Sequence, residues 1–179
     1  MLSEDQFRDF LNHLEYKDGK ILYNGVRLLI VPSLWLGQIQ KNMENIIGAE
    51  GTYVVIQNSS EEAGKILGNQ IFDSFQQESS LEEKIKNYIF SLEIRGWGNI
   101  IEYDYQEEPL KIMIRVKDAY ITDTYHKDAT ESKCYFITSV MSLIKGWLEQ
   151  AGIKKELTVE ETKCEAKGDP YNEYIIYEI

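Results

Sequence analysis

Hydrophobic and polar positions divide this chain into blocks with two different periods. Residues 3–16 carry apolar side chains at the i, i+3, i+4, i+7 spacing of one helix face. The members of this stripe are Phe7, Phe10, Leu11 and Leu14. Two short strand-like runs follow, 21–23 and 26–31, joined by Asn24-Gly25, a dipeptide favoured in tight hairpin turns. The pattern therefore predicts a helix followed by a hairpin.

Three further helices are predicted between the hairpin and the middle of the chain. The first ends near Gly48, a residue type suited to a helix C-terminus. The second covers about 51–77, and its Gly64 and Gly68 lie four residues apart on one face. These two glycines either let another backbone approach closely or are merely tolerated. The third helix follows the capping-box sequence 80–83, Ser-Leu-Glu-Glu.

Alternating patterns dominate the second half of the chain. The runs 99–106 and 110–120 predict an antiparallel pair of strands, the second with one buried and one wet face. A polar stretch, 118–132, is predicted as a loop. The last 46 residues begin with an amphipathic helix, 134–150, and continue as two strand-like runs. Blocks of this kind indicate the α+β class, with an antiparallel sheet packed against several helices.

Length and composition limit the class of protein. A chain of 179 residues suits a single domain, 1–179, with a sizeable core. The net charge of -11, from 30 acidic and 19 basic residues, disfavours nucleic acid and anionic membranes as partners. No apolar run reaches the roughly 18 residues that a membrane helix needs, and the first residues are polar and acidic, unlike a signal peptide. We therefore expect a cytoplasmic protein with no membrane span.

Residues that could carry catalysis are sparse. Cys134 stands near a helix start, where a thiolate is favoured, but a nucleophile also needs a base. The histidines are His13 and His126, and no motif surrounds either of them. No nucleophile elbow, phosphate loop, HExxH or paired CxxC is present. We expect a protein that is not an enzyme, whose two cysteines are thiols or metal ligands rather than a disulfide.

The cysteine-led helix and the strand after it resemble a known family. CYFITSVMSLIKGWLEQ, followed by VEETKCEAKGD, is similar to the C-terminal signature of the vinyl-4-reductase-type domain, and the resemblance covers 26–179. It implies a fold like that of TRAPP small subunits and nitric-oxide-signalling ligand-binding domains. Domains of this family sense phenols or toluenes in bacterial regulators, through a largely apolar pocket, and commonly dimerise. The implied function is a free-standing, non-catalytic domain that binds a small apolar or aromatic ligand as a homodimer.

The resemblance also implies metal ligands. In the aromatic-sensing relatives one glutamate and three cysteines hold a structural zinc, and Cys134, Glu161 and Cys164 match three of these positions. Asn172 falls where the third cysteine is expected, and a neutral amide is a poor substitute. On a regular strand Glu161 and Cys164 would face opposite sides, so a shared zinc site requires a bulge or a strand end between them. Alternatively, both cysteines are small buried core residues.

Trp97 is the strongest candidate for a ligand-binding residue among the three tryptophans. Gly96 and Gly98 flank it at a predicted helix–strand junction, where the backbone can bend freely. In the phenol-sensing relatives, tryptophans from this region reach the ligand. Trp35 and Trp147 either line a pocket or fill the core. The alternative function is a TRAPP-like scaffold subunit for protein–protein assembly in vesicle-tethering-like complexes, which would expose apolar patches.

Overall fold

Five α-helices, a short 3₁₀ helix (Glu165–Lys167) and two antiparallel sheets make up the described part of the computed structural model, which covers residues 4–23, 25–73, 80–125 and 135–179. The helices are α1 (Glu4–Asn12), α2 (Ser33–Asp73), α3 (Leu81–Ile94), α4 (Thr122–Tyr125) and α5 (Tyr135–Gln150). The strands are β1 (Leu14–Lys17), β2 (Lys20–Tyr23), β3 (Val26–Leu28), β4 (Asn99–Gln106), β5 (Lys111–Lys117), β6 (Leu157–Lys163) and β7 (Asn172–Glu178). The predicted α+β class is confirmed.

The larger sheet has the strand order β4-β5-β7-β6 and carries the core on one face. Ile112 of β5 lies opposite Ile176 of β7, which in turn lies opposite Val159 of β6. Ile114 and Tyr174 form the next row, and all five side chains are buried. Buried residues of α3 and α5 pack with this face in one continuous core. The smaller sheet, β1-β2-β3, is a meander near the N-terminus.

Helix α2 crosses α5 at a distance that only glycine permits. A Cβ atom at Gly64 would overlap the backbone carbonyl of Leu143 in α5. In the reverse direction, a Cβ at Gly146 would overlap the backbone carbonyl of Glu61 in α2. Of the two interpretations of the glycine pair in α2, the close helix approach is therefore correct, because Cβ atoms would push the two backbones apart.

Trp147 belongs to the core beside this crossing. A Cβ at Gly68 would overlap its side chain, so this glycine makes room for the indole. The indole stacks on Phe72, with ring centroids 3.8 Å apart and planes inclined by 8°, and Trp147 is only 4% exposed. Large stacked aromatics of this kind contribute strongly to core stability.

The N-terminal helix is shorter than its apolar spacing predicts. α1 ends at Asn12, and Leu14 begins β1 instead of completing the helical stripe. Asp18 and Gly19 form the turn to β2 with positive φ angles of 52° and 75°. Pairing with β2 satisfies the backbone hydrogen-bonding groups of residues 14–17 and overrides the helical spacing of their apolar side chains. The apolar pattern alone does not distinguish these two outcomes.

Three other predictions need adjustment. Gly48 breaks the helical geometry with φ 77° and ψ 167°, as predicted, but the helix resumes at once and α2 continues as a kinked helix. The predicted loop 118–132 contains the short helix α4. Met113, predicted on a wet face, is 8% exposed, so both faces of β5 are partly covered. Asn24 of the predicted hairpin turn lies outside the described residues.

None of the helices in the described ranges is both long and apolar enough to cross a membrane.

Candidate functional site

A cavity of about 550 Å³ opens between the N-terminal sheet and the end of α3. Four parts of the chain form its wall: the segment from α1 to β2, β3 with the extended residues after it, the first turn of α2, and the α3–β4 junction with Tyr120. Its wall is mainly apolar, and apolar members include Phe10, Leu14, Ile21, Leu28, Leu36 and Ile94. We call it the N-terminal cavity.

Trp97 lies in the wall of the N-terminal cavity. Its backbone N–H donates to Leu92 O at 3.0 Å, and its carbonyl accepts from Tyr120 N–H at 3.2 Å. The rings of Trp97 and Tyr120 meet edge to face, with centroids 5.4 Å apart and planes inclined by 80°. Backbone and ring contacts therefore fix the indole at the junction where sequence reasoning placed it. That Trp97 binds a ligand stays a prediction.

The glycines beside Trp97 explain why the indole reaches this position. Gly96 has φ 78° and Gly98 has φ 149°, both in the region that favours glycine. A Cβ at Gly98 would press against the side chain of Val116 and the backbone at Ala119. The chain therefore turns sharply after α3 and enters β4 close to the end of β5. Trp35, by contrast, is 55% exposed and is not part of the cavity wall.

Among the described residues of the cavity wall, the charged ones are two arginines, Arg27 of β3 and Arg95 at the end of α3. Arg95 Nε donates to Ser91 O at 3.1 Å and Nη2 donates to Ser91 Oγ at 3.0 Å. Its guanidinium also lies 5.3 Å from the ring centroid of Tyr88, a cation–π distance. Sequence reasoning missed both arginines, because neither belongs to a motif and the fold alone brings them to one cavity.

The two described members of the predicted zinc set are both buried. Glu161 of β6 is 8% exposed and Cys164 is 2% exposed. The β6–β7 register shifts between Glu161 and Lys163, so the bulge that a shared site requires is present. The backbone N–H of Cys164 donates to Asp169 Oδ2 at 2.8 Å. Cys134 lies outside the described residues, so the three-ligand set stays a prediction.

Asn172 does not fit the role of a zinc ligand. It is fully buried, and its Oδ1 accepts from the backbone N–H of Glu165 at 2.9 Å. Its Nδ2 donates to Glu165 Oε2 at 2.7 Å and to Val116 O at 3.3 Å. The amide thus ties the end of β5 to the turn after β6. Within the described ranges, no three His, Cys, Asp or Glu side chains are grouped so that they could hold a metal ion.

Tyr53 of α2 connects the start of α5 to β6. Its ring lies 5.5 Å from that of Tyr135, the first residue of α5, and its hydroxyl donates to Val159 O at 3.0 Å. Burial, reinforced by the nearby carboxylate of Glu161, raises the pKa of Tyr53 although a hydrogen bond with Gln57 opposes the shift. The beginning of α5 and the strand that carries Glu161 therefore meet at this tyrosine.

Comparison with known proteins identifies the fold. No model of a protein family matches the sequence, and no curated protein matches it. Among solved structures, the chain is similar to the phenol-responsive sensory domain of the transcription activator PoxR, crystallised with phenol. The TM-score is 0.72 at 13% identity, over 99% of this chain and 92% of that chain. At this identity the likeness shows the fold alone.

A second solved structure is more distant. It is trafficking protein particle complex subunit 3 from Naegleria fowleri, covalently bound to palmitic acid. The TM-score is 0.49 at 14% identity, over 82% of this chain and 95% of that chain. This likeness is too weak to support an inference about function.

Proposed function

We propose that the chain is a non-catalytic domain of the vinyl-4-reductase type that binds a small apolar or aromatic molecule in the N-terminal cavity. The single observation that carries the proposal is this cavity, with Trp97 in its wall, in a fold shared with a domain crystallised with phenol. Cavities of roughly 300–1,000 Å³ with mainly apolar walls are typical of small-molecule sites.

The apolar wall supplies the main driving force for binding. Burial of apolar surface stabilises a complex by about 25 cal/mol per Å², so a ligand that buries roughly 200 Å² gains about 5 kcal/mol. The translational and rotational freedom that the ligand loses offsets part of this gain. The expected ligand is therefore held mainly by desolvation, with the Trp97 ring adding contact area and orientation.

A panel of phenols, alkylbenzenes and medium-chain lipids tests this function by thermal shift and native mass spectrometry. We expect saturable stabilisation by part of the panel and a bound mass of one ligand per chain. Trp97→Ala should weaken the response about tenfold, while Trp35→Ala, which alters an exposed tryptophan outside the cavity, should leave it unchanged. No stabilisation and no bound mass across the panel would contradict the proposal.

We also propose that Cys134, Glu161 and Cys164 supply three donors to a structural zinc ion. The support is the burial of Glu161 and Cys164, the bulge in β6, and the contact of Tyr135 with Tyr53 beside β6. When bound, zinc would tie α5 to the sheet. Elemental analysis of the purified protein should find about one zinc per chain, reduced by Cys164→Ser but not by Asn172→Asp. A zinc content below about 0.1 per chain would contradict this proposal and favour the alternative, that Cys164 is a small buried core residue.

A scaffold role in a protein assembly is the second candidate. It is favoured by large apolar side chains that remain exposed along α2, including Ile46, Val54, Val55 and Ile66. Exposed apolar surface of this extent marks interaction sites in many proteins. A scaffold would cover this surface with unlike proteins, whereas for the ligand-binding domain we propose that a second copy of this chain covers it.

A further inference from the structure

We propose that the ligand of the N-terminal cavity is an organic anion, a carboxylate with an alkyl or alkyl-aryl body. This inference rests on the proposed function and specifies its ligand class. Its basis is the charge of the wall: among the described residues that line the cavity, the charged ones are Arg27 and Arg95, and none is acidic. Such a wall is unexpected in a chain with 30 acidic and 19 basic residues.

The arginines outside the cavity form ion pairs with carboxylates. The four arginines are Arg8, Arg27, Arg95 and Arg115. Arg8 pairs with Glu4 at 2.8 Å, and Arg115 pairs with both Glu102 and Glu173. Each arginine away from the cavity is therefore neutralised by carboxylates of its own chain.

The cavity arginines differ from these two. Across the described ranges, neither Arg27 nor Arg95 forms an ion pair with a carboxylate. Arg95 donates to Ser91 and lies over Tyr88, both of which are neutral. Arginine presents planar donors that match a carboxylate. A ligand carboxylate would supply negative charge at a site where the described part of the chain supplies none.

The helix ends at the cavity agree with an anionic ligand. Ser33 and Leu36 bring the first turn of α2 to the wall, and this turn contains no acidic residue, so no side chain of the turn itself offsets the positive end of the helix dipole. Unpaired carbonyl groups at the C-terminal end of α3 would repel an anion. The carbonyls of Leu92 and Glu93, however, accept hydrogen bonds from the backbone N–H groups of Trp97 and Gly96.

The size of the cavity determines the body of the ligand. An engineered cavity of about 150 Å³ is enough to hold benzene, whereas the N-terminal cavity measures about 550 Å³. A single unsubstituted ring would leave most of this space unfilled. A medium-chain alkyl group or an alkylated ring, lying along the wall formed by Leu14, Ile21 and Leu28, fills it better and buries more apolar area.

Calorimetric titration with two matched ligands, octanoate and octanamide, tests the inference at neutral pH. They share one alkyl body and differ in charge. We expect octanoate to bind about tenfold tighter, the effect of one charge-assisted hydrogen-bonded contact. Arg27→Gln and Arg95→Gln should each weaken octanoate about five- to tenfold and leave octanamide within about twofold. Arg8→Gln, which removes the same charge outside the cavity, should change neither.

The outcomes separate the inference from the proposed function. Equal binding of both ligands, unchanged in Arg27→Gln and Arg95→Gln, would overturn the anion preference while the apolar cavity remains a binding site. Binding of neither ligand, together with no response to the wider panel, would overturn both. Because Arg95 also closes the end of α3, its variant is compared with wild type in unfolding temperature. If Arg95→Gln is unstable, the Arg27→Gln result decides.

Discussion

Glu61 connects the two long helices at their closest approach. Its carboxylate lies 2.8 Å from Lys145 Nζ of α5 and 3.2 Å from Lys65 Nζ within α2. Burial favours the neutral acid, but hydrogen bonds from Lys145 and Lys65 outweigh it and hold the pKa of Glu61 below the ordinary value of 4.5. The folded state therefore binds a proton at Glu61 less readily than the unfolded chain does.

This shift predicts a pH-dependent contribution to stability. The contribution of Glu61 is fully present above the ordinary glutamate pKa and is lost as the pH falls through the lowered folded-state pKa. Glu61→Gln should cost about 1 kcal/mol at neutral pH in urea unfolding, and the cost should shrink below about pH 4. Glu62→Gln is the matched control, since Glu62 is exposed and contacts Lys65 within α2. A cost independent of pH would contradict this prediction.

Local chemistry made some residues predictable and left others hidden. The capping box was predictable because it needs only neighbours in sequence: Ser80 Oγ accepts from Glu83 N–H at 3.2 Å, and Glu83 Oε2 accepts from Ser80 N–H at 2.9 Å. Trp97 was a candidate because two glycines flank it. Arg27 and Arg95 gave no signal, since their shared cavity depends on contacts between distant segments.

At the scale of elements, the α2–α5 crossing organises the helical layer. Gly64 and Gly146 allow backbone-to-backbone approach, and Gly68 makes room for the Trp147 side chain. Lys145 and Lys65 place charged contacts at the edge of the crossing. Core density of this kind tolerates little added volume. A single methyl group added at the crossing should therefore lower the free energy of unfolding markedly.

Gly64→Ala tests the crossing. The added methyl would meet the backbone of Leu143, which cannot rotate away as a side chain can. We expect a loss of about 2 kcal/mol in urea unfolding, even though alanine favours a helix. Gly51→Ala is the control, since its Cβ would meet only the Ile47 side chain, no closer than 3.4 Å. It should be neutral or up to about 1 kcal/mol more stable. Equal stability of both variants would exclude a tight crossing.

The helices and strands were predictable where the hydrophobic period agreed with the capping and turn residues at their ends. Strands β4 and β5, helix α3 and helix α5 carry clear patterns and lie close to their predicted ranges. The segment 14–17 was predicted wrongly because its local helical spacing competes with pairing to β2, a contact that a local pattern does not report. Nor does the pattern of α2 reveal which side of it α5 covers.

At the scale of the whole molecule, one side of α2 carries exposed apolar residues. We call Val54, Val55 and Ile66 the outer α2 surface; their exposures are 47%, 45% and 77%. Val55 and Ile66 are eleven positions apart, about three helical turns, so they lie on the same side. A two-fold axis across this surface would let each copy cover the other.

Light scattering during size-exclusion chromatography tests the dimer. The wild-type chain should elute with twice the monomer mass, and Val55→Asp combined with Ile66→Asp should yield monomers. Ile179→Asp changes an exposed isoleucine at the chain end and should leave the dimer intact. A wild-type monomer that joins unlike proteins in native extracts would instead favour the scaffold role.

Ligand binding beside Trp97 is tested most directly by the indole N–H signals in a ¹⁵N-correlated NMR spectrum. The chain contains Trp35, Trp97 and Trp147, which are respectively exposed, in the cavity wall and in the core, and Trp-to-Phe variants assign their three signals. On titration with octanoate, we predict that the Trp97 signal shifts and saturates while the Trp147 signal stays in place. A Trp97 signal that does not move, at concentrations where calorimetry or mass spectrometry detects binding, would show that the ligand occupies another site.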